Sequence, residues 1–242
     1  MRINTTGFII IILAAMLSGC ASQANRDPLE GFNRGVYKFN DTADKAVIKP
    51  IAGAYKAVIP SPLRTGVNNF FTNLGTFVTT INDLLQFKIS KAADDAGRFV
   101  INTTVGVLGI FDVASLDKVP QHHEDFGQTL GYWGVGTGAY VVLPILGPST
   151  LRDTGGLVVD SLAFDPIYYF KTGPSTGLTI IKGIDKRSQY LPASDLLDEA
   201  ALDPYTFMRD AYLQRRANQI NDGAATQVDD SGFETAPADS TK

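Results

Sequence analysis

The chain reads as all-α. Apolar residues recur at three- and four-residue spacing, sustained period-two alternation is hard to find, and a cap-then-proline pair opens several of the periodic stretches. Asp27-Pro28, Ser61-Pro62, Asp165-Pro166 and Asp203-Pro204 are those pairs; the fixed φ of proline suits the first helical turn. After the first, with Glu30 completing a variant of the capping box, Leu29, Phe32, Val36, Phe39 and Ala43 form an apolar stripe, with Arg34, Lys38, Asp41 and Lys45 on other faces. After the second, Val67, Phe70, Phe71, Leu74, Phe77, Val78, Ile81, Leu84 and Leu85 form a longer one. Leu178, Ile181 and Ile184 repeat the spacing, as do Phe207, Met208, Ala211 and Tyr212. One glycine-rich excursion interrupts the pattern: GYWGVGTGAYVVLPILGPS, residues 131–149, with no charge and the only tryptophan.

The ends differ from the middle. Residues 1–19 carry Arg2 and then an apolar run from Phe8 to Leu17. A membrane span takes ~20 apolar residues, so this shorter run fits a secretory signal peptide. The following Leu17-Ser18-Gly19-Cys20 resembles a bacterial lipobox, in which the cysteine receives a diacylglycerol and a fatty acyl chain (palmitate) and becomes the new N-terminus. Cys20 is the only cysteine, so no internal disulfide is available. Ala21 rather than Asp follows it, which resembles sorting to the outer membrane. Residues 20–26 are expected as a lipidated linker, 27–220 as the helical domain and 221–242 as a disordered acidic tail.

Charge is sparse and uneven. Charged residues make up 19% of the 242, the net charge is −4 and the pI is about 5.1, so nothing favours nucleic acid. Three stretches lack charge altogether: residues 65–82, 99–111 and 126–151. The polar side of the first consists of Thr65, Asn68, Asn69, Thr72, Asn73, Thr76, Thr79 and Asn82. A helix on the surface of a water-soluble protein normally turns charges outward. Two readings follow: core helices packed on all sides, or helices lying in one leaflet, whose ~15 Å of hydrocarbon about 10 helical residues would traverse.

Several chemistries find no support. Gly134-Val-Gly136-Thr-Gly138-Ala139 fits a dinucleotide fingerprint, but Pro144 and Pro148 fall inside the helix that such a site requires. Adjacent His122 and His123 diverge on any regular element, and no other histidine exists to complete a zinc set. There is no G-x-S-x-G elbow. The chain is not expected to be an enzyme or to hold a metal or other cofactor.

The lipobox, DPLEGFNRGVYKFND (27–41), EDFGQTLGYWGVGTGAYVVLPILGPSTLRDTGG (124–156) and DPYTFMRDAYLQRR (203–216), in that order, resemble the MlaA (VacJ) family of outer-membrane lipoproteins. The resemblance covers residues 27–216. It implies a ring of amphipathic helices in the inner leaflet of the outer membrane. A central channel would remove phospholipid that has strayed to the outer leaflet and pass it to a soluble periplasmic carrier, which serves an inner-membrane ABC transporter complex; this maintains lipid asymmetry. It also implies association with a trimeric porin. By that resemblance Asn40 and Asp41 fall where channel opening is controlled, although Lys38-Phe39-Asn40-Asp41 stands where a more apolar run is expected. Leu178, Ile181 and Lys182 are the candidate lining. Gly134 and Gly136 are expected as a hinge in a hairpin-like loop beside the pore, with Tyr132, Trp133 and Tyr140 at headgroup level. The rival is a lipoprotein that scaffolds porins without a lipid path.

Overall fold

The computed structural model describes residues 27–170, 172–200 and 202–223. The expected signal peptide, Cys20 with its linker, and residues 224–242 of the expected tail lie outside the described residues. Helix α1 (Glu30–Ala43) passes through a π-helical turn (Asp44–Ile48) into α2 (Lys49–Val58). Then come α3 (Ser61–Leu85), α4 (Ile89–Thr104) and α5 (Phe126–Tyr132). Strands β1 (Tyr140–Leu143) and β2 (Gly147–Thr150) pair antiparallel, Tyr140 opposite Thr150 and Leu143 opposite Gly147. Helix α6 (Leu151–Val159) continues through a π-helical turn (Asp160–Phe164) and a 3-10 turn (Pro166–Tyr169). Helices α7 (Thr172–Ala200) and α8 (Pro204–Ile220) complete the order. The fold is all-α, with the expected hairpin as its one departure.

Several helix starts are held as the cap chemistry requires, while the expected cap at Ser61 is not formed, α3 starting after Pro60 with no side-chain cap. Asp203 accepts from the Thr206 amide, Asp125 from Gln128 and Thr150 from Asp153, each satisfying a donor that the first turn leaves free. The expected cap at Asp27 is not formed. Helix α1 begins at Glu30 after Leu29, and the buried Asp27 carboxylate instead takes the Asn33 amide at 2.8 Å and the Tyr205 hydroxyl. At the other end, Asn221 closes α8 and Asp222 pairs with Lys88 and Lys91 at 2.7 and 2.8 Å. The folded part therefore runs past the expected boundary at 220.

The helices meet in a closed circuit. Helix α1 leads through its π turn to α2, α2 packs on α7, α7 on α3, α3 on α5, α5 on α8, α8 on β2, and β1 returns to α1. Helix α4 lies along α3, and α6 lies along α5. Among the described residues, none of the principal packing contacts joins elements across the circuit. Its only apolar core cluster among the buried residues is Tyr140, Val142 and Tyr205, with Val36, Tyr37, Met208, Tyr212 and Leu213 around it.

Burial is inverted relative to a water-soluble protein. The buried side chains among the described residues comprise eight apolar and twenty-one polar or charged groups, whereas interiors ordinarily take apolar residues first. In α1 the buried residue is Asn33, while Phe32 and Phe39 of the expected stripe are more than half exposed. In α3 the buried face is Asn73, Thr76, Thr79, Asn82 and Asp83 with Phe71, while Leu63, Phe77 and Leu84 face outward. The Thr and Asn side of α3 thus packs inside the protein. Asn73 donates to the Thr103 hydroxyl at 2.8 Å, and Asn82 donates to Asp160 at 3.0 Å and accepts from Thr129 at 2.8 Å. The loop after α4 carries exposed Val105, Val107, Leu108, Ile110 and Phe111, and Val107 and Leu108 adopt φ of 53° and 58°. Left-handed backbone is unfavourable for a β-branched residue such as Val107. Gly109 in the same loop has φ 87° and lies so close to Asn73 that a Cβ would come within 2.5 Å of it.

Candidate functional site

The glycine-rich segment is fastened to α1 by two asparagines seven residues apart. Seven residues are close to two turns, so both side chains lie on one face. Asn33 donates to the Tyr140 carbonyl at 3.0 Å and accepts from the Val142 amide at 2.9 Å. Asn40 does the same at the turn, donating to the Leu143 carbonyl at 2.9 Å and accepting from the Ile145 amide at 2.8 Å. The expected control residue Asn40 therefore holds the tip of the hairpin, and its neighbour Asp41 pairs with Lys45 along the helix at 2.8 Å. Gly134 and Gly138 take left-handed φ of 84° and 69°. Gly136 is not among the left-handed residues, so only one of the two expected hinge glycines has a conformational need for glycine.

Of the three expected interface aromatics, two are exposed. Tyr132 and Trp133 are each 49% exposed at the end of α5, and the Trp133 indole donates to the Leu85 carbonyl at 3.1 Å. Lys88 lies over the Tyr132 ring at 5.7 Å. The third expectation is corrected: Tyr140 is fully buried, stacked edge-on against Tyr205 and Tyr212, and cannot meet headgroups. The alternation of β1 turns Tyr140 and Val142 inward and leaves Val141 and Leu143 partly covered.

Helix α7 brings the expected lining residues to neighbouring turns. Ile181 is 45% exposed, Leu178 is half-buried, and Lys182 reaches Asp165 at 3.7 Å. Lys186 follows one turn later. It is exposed, yet loss of hydration and the nearby charges of Lys182 and Arg215 hold its ammonium below the ordinary lysine range. Two acid contacts pin α7 to the circuit, and the first lies on the same helical face as Leu178, Ile181 and Lys182. Asp185 accepts from the Tyr55 hydroxyl at 3.0 Å, and Arg187 binds Asp44 through two nitrogens at 2.7 Å.

A charge network joins α5, α6 and α8. Arg216 binds Asp125 at 2.7 and 2.9 Å and Asp153 at 2.8 and 3.1 Å, while Tyr212 donates to Asp153 at 2.8 Å. Against the effect of burial, Arg216 and Arg152 bring the Asp153 carboxyl down to about 2. Asp160 behaves oppositely, burial pushing its carboxyl up to about 6 although Phe126 and Asn82 donate to it. His122 and His123 do not converge, His122 bonding Asp95 while the His123 carbonyl accepts from Gln128. Asn33, Asp153 and Arg216 were not expected as organising residues. The i, i+7 spacing of Asn33 with Asn40 was a signal for the first; the other two gave none, their partners lying 63 and 91 residues apart in sequence.

Known proteins share this arrangement. The family model described as MlaA lipoprotein matches residues 25–219. The chain belongs to the MlaA lipoprotein family. Among MlaA relatives, the "Intermembrane phospholipid transport system lipoprotein MlaA" of Escherichia coli (strain K12) is 40% identical, covering 86% of each chain. The protein of the same name in Haemophilus influenzae is 34% identical, covering 91% of this chain and 92% of that one. A solved structure described as the structural basis for maintenance of bacterial outer membrane lipid asymmetry matches with a TM-score of 0.73 and 37% identity, over 81% of this chain and all of the other. The MlaA match spans every element of the circuit from α1 to α8.

Proposed function

We propose that this chain is an outer-membrane lipoprotein that moves phospholipid from the outer leaflet through the space its helices encircle and passes it to a soluble periplasmic carrier. The observation that carries this reading is the inversion of burial within a closed circuit: apolar side chains face outward and polar ones inward. Apolar residues such as Phe32, Phe39, Leu63 and Phe111 suit acyl chains in one leaflet. No described helix is long and apolar enough to cross a membrane, so embedding in the periplasmic leaflet, with an acylated Cys20 as anchor, fits better than spanning. Lys182 and Lys186 offer positive charge to a phosphate, and Leu178 and Ile181 offer apolar contact to the chains beside it. Asn40 places control of the hairpin tip on α1. A trimeric porin and an inner-membrane ABC transporter complex are the further partners of this reading, and it assigns the chain no reaction of its own.

The test is a lining substitution. Leu178→Trp, expressed in a strain lacking the native protein, should leave abundance and membrane association unchanged while phospholipid accumulates in the outer leaflet. Full restoration of asymmetry by Leu178→Trp and by Ile181→Trp would defeat the channel and favour a porin scaffold without a lipid path.

A further inference from the structure

Asp83, on α3, is completely buried, and neither of its carboxylate oxygens has a hydrogen-bond donor. An ionised carboxylate in that position is strongly unfavourable; the neutral acid carries its own donor and needs only an acceptor. The acceptor is present. Asp83 meets the side chain of Asp95 on α4, which is also completely buried. Asp95 is joined in turn to His122, whose Nδ1 lies 2.8 Å from one carboxylate oxygen and whose amide donates to the other at 3.3 Å. The His122 side chain is only partly covered and lines a solvent-open cavity of about 350 Å³, whose lining also includes His123, Lys91 and Arg215.

We propose that Asp83 and Asp95 bind one shared proton, exchanged with the cavity through His122, and that this proton holds α3 against α4 and the 119–125 segment. In each uptake the ring takes a proton from hydronium or a buffer acid in the cavity at one nitrogen and gives up its Nδ1 proton to Asp95, and Asp95 passes a proton to Asp83; no bond between heavy atoms changes. With the proton bound, the pair is a neutral acid donating to a carboxylate. Without it, two carboxylates face each other beside a third, Glu124.

Of the other charges around the pair, Lys88 offsets part of that repulsion, but it is shared with other carboxylates. Lys88, at the start of α4, is held by Glu124 at 3.0 Å and by Asp222 at 2.7 Å. Lys91 of α4 is held by the same Asp222 at 2.8 Å. Glu124 also takes the Gln86 amide at 3.0 Å. Burial, with Asp95 and Glu124 adding their negative charge, pushes the Asp83 carboxyl up to about 7. Its ordinary value is 3.8. From pH 4 to 7 the unfolded chain therefore releases a proton that the folded chain keeps, so this site favours folding less as pH rises and contributes nothing further above about 7. This inference rests on the α3–α4 geometry and stands independently of the lipid path.

Asp83→Asn replaces the shared proton with a permanent amide donor. In the full-length protein in detergent, infrared difference spectra should show a protonated-carboxyl band at pH 6 that fades by pH 9 and is missing from Asp83→Asn. The melting temperature of the variant relative to wild type should rise by roughly 5 °C between pH 5 and pH 8. His122→Gln should slow the appearance of the band after a pH jump without removing it. The proposal fails if wild type has no such band at pH 6, or if the variant-minus-wild-type difference does not change with pH. It also fails if Mg²⁺ or Ca²⁺ replaces the band while stabilising wild type and leaving Asp83→Asn unaffected.

Discussion

Arg216 binds two carboxylates from two different helix starts, so one side chain fixes how α5 and α6 meet α8. Removing one member of a buried ion pair leaves an uncompensated charge, at about 3–5 kcal/mol. Arg216→Ala should lower unfolding stability by that amount in denaturant titrations. The partners Asp125 and Asp153 both sit below the ordinary carboxylate range, burial opposing and Arg216 outweighing it. Their contribution is complete above the unfolded value near 4 and is lost as pH falls toward 2. Acid unfolding followed by circular dichroism should start at higher pH in Asp153→Asn. Little of this was legible in the sequence. Asp153 stands out only as an acid just beyond a charge-free stretch, and its guanidinium partner lies 63 residues away. Tyr140 was misread for a related reason: an aromatic ring among uncharged residues suits an interface equally well, and only pairing with β2 turns it inward.

At the scale of elements, two contacts decide whether the hairpin and the short helices hold together. Asn33→Ala would strand the buried Tyr140 carbonyl and Val142 amide, at about 1–3 kcal/mol. Asn40→Ala acts at an exposed tip; stability should change by less than about 1 kcal/mol, while hydrogen exchange at the Ile145 amide should accelerate. Gly156 approaches Gly127 so closely that an added Cβ would lie 2.3 Å from its nitrogen. Gly156→Ala should therefore separate α5 from α6 and lower stability by at least about 2 kcal/mol, measurable as an earlier thermal transition. The helices themselves were largely legible, because apolar spacing and cap-proline pairs are local signals. Asp27 shows the limit of such signals: its carboxylate serves Asn33 and Tyr205 instead of the helix start beside it.

Across the whole molecule, the uncharged stretches did not reveal which face turned inward. Charge patterning is a one-dimensional property, and the Thr and Asn side of α3 could have lined a space as readily as packed on α4. What remained hidden was that outward-facing side chains such as Phe77 and Leu84 are the apolar ones. If that outer surface contacts acyl chains, Leu108→Asp together with Phe111→Asp should leave helical content intact and reduce partition into phospholipid vesicles by at least tenfold. Charge in hydrocarbon costs several kcal/mol per group, and both side chains are more than 60% exposed.

The inverted burial also bears on the order of events after synthesis. In water, nonspecific collapse takes microseconds to about 100 microseconds for chains of this size class and gathers whatever is apolar. Here that would draw Phe32, Phe39, Leu63 and Phe111 together, the residues that must finish on the outside. The polar contacts that define the native interior, Asn82 with Asp160 or Arg216 with Asp153, would then be scattered over the surface of a wrongly turned globule. A productive route postpones collapse until the apolar faces have an apolar solvent. If the outward faces meet acyl chains as proposed, delivery to the bilayer, or an escort that shields those faces on the way, becomes a step of folding itself.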